Sequence, residues 1–146
     1  MLSDSLKVYL ASSFCFYLKT HSFHWNVEGP DFVQLHEFFG DIYTEVFESI
    51  DETAEKIRTL DSYTPGSLTR FGELSIIQDQ VKIPRAELMI AELTEDNQKL
   101  IELLRQTFHL AEEADEQGIA DYIAGRIDAH AKWQWQLKSL LKKQRA

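Results

Sequence analysis

Between Asp31 and Leu60 the chain runs thirty residues with no proline and a single glycine, Gly40. Leu35, Phe39, Ile42, Val46, Ile50, Ala54 and Ile57 recur along it with a period near 3.6. The stretch therefore reads as one unbroken amphipathic helix, Phe32 to Leu60. Its most restrictive feature is a distance. His36 and Asp51 on one straight helix stand about 22 Å apart, at roughly 1.5 Å of rise per residue. No single metal ion can be held by both within one copy. Either the two residues have unrelated jobs, or a second subunit brings the two ends together.

The rest of the chain suits the same architecture. Leu6, Leu10, Phe14, Leu18 and His21 space out a first helix from Ser3 or Asp4, either of which can cap it, to Val27, where Glu28-Gly29-Pro30 breaks it. Asp31 and Gln34 form a capping-box pattern ahead of the second helix. Leu60 to Val81 is too apolar for a free loop. A short helix at Ser67 to Gly72, laid across the bundle, would bury Leu68, Phe71, Leu74, Ile76 and Ile77. A third long helix starts near Pro84, which suits a first-turn position. It runs through Leu88, Leu93, Leu100, Leu103 and Leu104 to Glu113, and Asp115 and Gly118 mark the break. The fourth covers Ile119 to Lys143, with Ile123, Ile127, His130, Leu137 and Leu141 on one face. No strand pattern of period 2 persists. The expected fold is all-α: one domain over residues 1–146, a four-helix bundle with a short helix in its one long crossover, the ferritin-like topology.

Composition narrows the function. The net charge of −9 opposes contact with nucleic acid or anionic membrane and suits cations. Cys15 is the one cysteine, which excludes an internal disulfide and fits a reducing, cytoplasmic compartment. No stretch approaches the roughly 20 apolar residues of a membrane span. The apolar run Val8 to Leu18 lacks the basic flank and cleavage site of a signal peptide.

Bundles that hold two metals in their core use Glu-x-x-His pairs. The residues three before the five histidines are Leu18, His21, Val33, Gln106 and Ile127, so that motif is missing. Two other groupings remain. His24 and His36 flank the first interhelical turn, where a hairpin brings them within reach; they are either metal ligands or two half-buried histidines that only hydrogen-bond. Asp51 and Glu55, at i and i+4, share a helix face; they are either ligands or part of a solvated acidic face with Glu45, Glu48 and Glu52. Two copies of the second helix packed antiparallel across a two-fold axis bring His36 of one to Asp51 and Glu55 of the other, twice per dimer.

These residues also carry a resemblance. His24-Trp25-Asn26-Val27-x-Gly29-Pro30-x-Phe32, Leu35-His36-Glu37 and Asp51-x-x-Ala54-Glu55-Lys56-Ile57 resemble the Dps mini-ferritins, the family of DNA-binding proteins from starved cells. Tyr63-Thr64-Pro65-Gly66-Ser67-Leu68, Asp115-x-x-Gly118-x-Ala120-Asp121 and Arg126-Ile127-x-Ala129-His130-x-Lys132-Trp133 extend it over nearly the whole chain. The resemblance implies a shell of twelve subunits that oxidises Fe(II) with peroxide or dioxygen and stores the ferric mineral. It assigns His24 and His36 of one subunit, with Asp51 and Glu55 of its neighbour, as catalytic iron ligands. It makes Asp115 and Asp121 candidates for acidic iron-entry pores, against ordinary capping of the last helix turn. It gives Trp25 and Trp133 either packing roles or the capture of stray oxidising equivalents, and His21 either a packing role or a supporting one. One position departs: the family places an aspartate four residues after the second histidine, and here stands Gly40, with Asp41 turned roughly 100° away. The rival readings are a DNA-condensing relative and a structural helical oligomer with vestigial iron chemistry. For DNA, the basic residues Lys132, Lys138, Lys142, Lys143 and Arg145 near the end speak in favour, and the overall charge against.

Overall fold

The computed structural model describes residues 1–143, so Arg145 lies outside the described residues. Five helices follow in order: α1 (Leu2–Asn26), α2 (Phe32–Thr59), α3 (Leu68–Leu74), α4 (Ala86–Glu113) and α5 (Gln117–Leu141), and the described residues hold no strand. The fold is all-α, with α3 as the short helix of the long crossover.

Pairwise contacts set the directions. Ser5 bonds Thr107, and Lys19 bonds Asp96 and Glu92, so α1 and α4 run antiparallel. The short turns make α1 antiparallel to α2 and α4 antiparallel to α5. Therefore α2 and α4 are parallel, which is the geometry that demands a crossover. Across the bundle Phe38 meets Trp133, Glu45 meets Arg126 and Ser49 meets Tyr122, an antiparallel α2–α5 pair. Leu6, Tyr9, Leu10, Phe16, Phe23, Phe39, Ile42, Val46, Leu93, Leu100, Leu104, Ile123 and Leu137 are buried in one continuous core.

The buried stripe of α1 is Tyr9–Phe16–Phe23 beside Leu2, Leu6 and Leu10, rotated from the expected one. Leu18 is 43% exposed, and Phe14 packs on Phe71 of α3 instead of entering the core. The crossover is also less buried than its apolar content suggested. Ile77 is buried and Phe71 and Leu74 are half-buried, but Leu68 and Ile76 remain exposed. Backbone and side-chain bonds hold this segment instead: Ser12 accepts from the Ile76 amide at 2.9 Å, Thr64 donates to the Ala54 carbonyl at 2.7 Å, and Gln80 donates to Glu92 at 2.8 Å.

Helix ends differ from the expected caps. The first helix begins at Leu2, so Ser3 and Asp4 are already helical. Asp31 precedes α2 but makes no side-chain cap. The turn before it closes through the backbone, with the Phe32 amide donating to the Gly29 carbonyl, and this holds Asp31 away from the extended conformation a side-chain cap needs. Gly29 sits at φ +119°, open to glycine and strained for other residues. Arg85 is extended, so α4 begins at Ala86, beyond Pro84. Its end is a Schellman turn: the Glu116 amide donates to the Ala111 carbonyl and the Asp115 amide to the Glu112 carbonyl, with Asp115 left-handed at φ +56°. Asp115 therefore ends α4 and does not cap α5, and Gly118 lies inside α5 rather than at the break.

Candidate metal centre

The α1–α2 hairpin carries the two histidines. His24 lies in the last turn of α1, where the final carbonyls have no helical partner. His36 lies in the second turn of α2. The two rings stack, with centroids 3.8 Å apart and planes 17° from parallel. Each also bonds the other's backbone. His24 Nδ1 is 2.6 Å from the His36 carbonyl oxygen, and His36 Nδ1 is 2.7 Å from the His24 carbonyl oxygen. A carbonyl only accepts, so both Nδ1 atoms are the protonated ones. In a neutral imidazole that leaves Nε2 with its lone pair. An imidazole oriented by an Nδ1–H···O=C bond and free at Nε2 is the form in which histidine binds metals.

Gly40 makes room for this clasp. Its helical position lies one turn beyond His36, over the carbonyl that His24 reaches. A Cβ at residue 40 would stand 3.2 Å from both Cε1 and Nδ1 of His24.

Beside the pair lies an aromatic group that spacing alone did not reveal. His21 stacks on Tyr43 at 3.8 Å and 10°, leans on Trp25 at 4.0 Å, and bonds the Tyr17 hydroxyl at 3.1 Å. Burial, and then the neighbouring His24, hold His21 below the usual histidine range, which favours its neutral form. The signal for this group was present: Tyr17, His21 and His24 recur at i, i+4 and i+7, and Tyr43 lies seven residues after His36.

Asp51 and Glu55 are exposed on α2 and are not brought to the histidines within one copy. Among the described residues no group of three or more His, Cys, Asp or Glu gathers where it can hold a metal ion. The hairpin face around the histidines is apolar and uncovered, with Leu18, Trp25, Phe32 and Phe47 between 41% and 59% exposed.

Trp133 differs from Trp25. It is 9% exposed, and its indole N–H donates to Glu45 at 3.0 Å. Asp115 and Asp121 line one groove at the α4–α5 turn together with Glu112 and Glu116. The basic residues Lys132, Lys138, Lys142 and Lys143 are exposed at the end of the chain.

The bundle interior holds a second polar group. Arg126 pairs with Glu45 and donates from Nε to the Tyr9 hydroxyl at 3.0 Å. Tyr9 is 2.8 Å from His130 Nε2, and His130 Nδ1 is 2.7 Å from Asn97 Oδ1. Asn97 donates in turn to Gln134 and to the His130 carbonyl. Burial, reinforced by Arg126, holds His130 well below the usual histidine range, so it is neutral.

A four-helix bundle with one long crossover between parallel α2 and α4 has the topology of the ferritin-like class. The model of the ferritin-like domain matches residues 4–146 of this chain, and the chain belongs to that family. Within it, this is a Dps-family mini-ferritin. The chain is 31% identical over 125 residues to DNA protection during starvation protein 2 of Bacillus anthracis, covering 86% of each protein. It is 36% identical over 139 residues to an uncharacterized low temperature-induced protein of a Nostoc strain, covering 92% of this chain and 76% of that protein. The crystal structure of Dps from Staphylococcus aureus superposes with a TM-score of 0.94 at 31% identity, over 98% of this chain and 96% of that one. Among the described residues no helix is long and apolar enough to cross a membrane.

Proposed function

We propose that this protein oxidises Fe(II) at sites shared between two subunits and stores the ferric product inside an oligomeric shell, a dodecamer in the manner the family resemblance implies. His24 and His36 of one copy, with Asp51 and Glu55 of the next, are the ligands. The observation that carries this reading is the reciprocal His24–His36 clasp, which engages both Nδ1 atoms and leaves Nε2 as the lone-pair nitrogen of each neutral imidazole. Membership of the ferritin-like family supports the choice of iron. The apolar face of Leu18, Trp25, Phe32 and Phe47 around the clasp has the character of a surface meant to be covered.

Iron is the substrate. Two Fe(II) ions lose one electron each, and one hydrogen peroxide takes both to become two hydroxides, so no hydroxyl radical need form. Imidazole and carboxylate bind Fe(II), and the carboxylate oxygens favour the harder Fe(III) product. The acidic groove of Asp115 and Asp121 is the candidate entry for the cation. A reducing, cytoplasmic setting fits the free thiol of Cys15. DNA contact is not part of the proposal, because the net charge of −9 opposes phosphate.

The test is Fe(II) oxidation at catalytic protein concentration with dioxygen and with peroxide. The wild-type protein should outrun protein-free buffer with at least one oxidant. The double variant His36→Ala, Asp51→Ala should assemble and fall to the buffer rate. Oxidation that survives the double change shows that the ligands are elsewhere.

A further inference from the structure

The shared site has carboxylates on one side only. Stripe positions of α2 follow His36 at Gly40, Tyr43 and Phe47 before reaching Asp51, and none of the first three carries a charge. Asp41 is exposed on a different face. On the first helix, the neighbour of His24 is His21, which is stacked on Tyr43 and tilted against Trp25. The histidine side of the centre therefore brings imidazoles and no negative charge.

Gly40 is tied to this arrangement sterically as well. The side chain of residue 40 would cover the carbonyl of residue 36, one helical turn before it. With no Cβ there, the His24 ring lies over the backbone and reaches that carbonyl at 2.6 Å. The ring nitrogen that makes the bond, Nδ1, and the adjacent Cε1 are the atoms a Cβ would meet at 3.2 Å. The same glycine that removes a ligand position holds His24 in its metal-binding tautomer.

We propose that Gly40 makes this a one-cation centre: it positions His24 through the His36 carbonyl, and with no carboxylate on the histidine side a second divalent cation is bound only weakly. The inference rests on the shared-site reading above. Two imidazoles from one copy and Asp51 and Glu55 from another form four ligands, and their two negative charges balance one divalent ion. A second cation would leave a doubly positive cluster in a covered interface, where charge repulsion is poorly screened. The second iron needed for a two-electron oxidation then arrives as a transient visitor, not as a resident.

Zinc titration of the assembled protein by calorimetry decides this, because Zn(II) takes the same N and O ligands and has no redox chemistry. The expected result is one tight equivalent per subunit, with any second at least about 100-fold weaker. The tight equivalent disappears in His36→Ala. Gly40→Ala adds only the Cβ, and should keep one equivalent but weaken it about tenfold, the size of effect expected when the group orienting a ligand is disturbed. Two equivalents per subunit of matching affinity, both lost in His36→Ala, overturn the one-cation inference while leaving the shared site standing. A tight equivalent that persists in His36→Ala overturns the site itself. Unchanged affinity in Gly40→Ala overturns the positioning role.

Discussion

Two histidine groups in this molecule use the same side chains for opposite ends. In the bundle interior, His130 has both ring nitrogens engaged, by Asn97 and by Tyr9, and Arg126 joins Tyr9 to Glu45. At the hairpin end, His24 and His36 each spend only Nδ1, on a backbone carbonyl. The interior group has closed on itself, with the Arg126 guanidinium as its cation. The hairpin group is half closed and presents lone pairs. What separates a structural histidine from a candidate ligand is thus the second nitrogen, and burial follows the same division: His130 is fully buried, while His24 and His36 keep partial exposure.

The contrast can be broken most strongly at Arg126. Its side chain is 7% exposed and carries the only cation bonded to Glu45 and Tyr9 among the described residues. Arg126→Ala should destabilise the fold by about 3 kcal/mol, by removing one partner of a mostly buried ion pair. Denaturant unfolding checks this. Zinc stoichiometry at the hairpin should not change, because the two groups share no residue. Loss of the tight zinc equivalent in folded Arg126→Ala would show that the two regions are coupled.

Acid provides a gentler probe of the same difference. His130 has a folded pKa lowered well below its unfolded value of roughly 6.5. The unfolded chain binds this proton first as pH falls, and the native state does not. The group's contribution is therefore fully present above that unfolded value and is lost below it, at up to about 1.4 kcal/mol per pH unit. Stability followed from pH 7 to pH 5 should fall more steeply in the wild type than in His130→Gln, compared as slopes. Equal slopes would mean that His130 does not hold its neutral form in the fold.

The sequence made the helices legible because their apolar period is long and rarely interrupted, and the crossover because so apolar a segment had to lie against something. The hairpin histidines could be read from their places beside Gly29-Pro30. Their mutual clasp could not, since it depends on the space above Gly40, and a sequence shows that glycine only as a missing carboxylate. The interior network was beyond reach for a different reason. Tyr9, Glu45, Asn97, Arg126 and His130 come from four helices, and no local spacing joins them. Caps were misplaced at Asp31 and Asp115, where backbone turns took over the work expected of side chains.

The central claim is that histidines of one subunit act with carboxylates of another, and subunit mixing tests it directly. His36→Ala and Asp51→Ala subunits, each inactive alone, are unfolded together and reassembled in equal amounts, and Fe(II) oxidation is measured. In a two-fold dimer of one variant with the other, the His36-bearing subunit meets an intact Asp51, so one of its two sites is whole. Random pairing should then restore about a quarter of wild-type activity. A mixture as inactive as its two components would contradict the shared site.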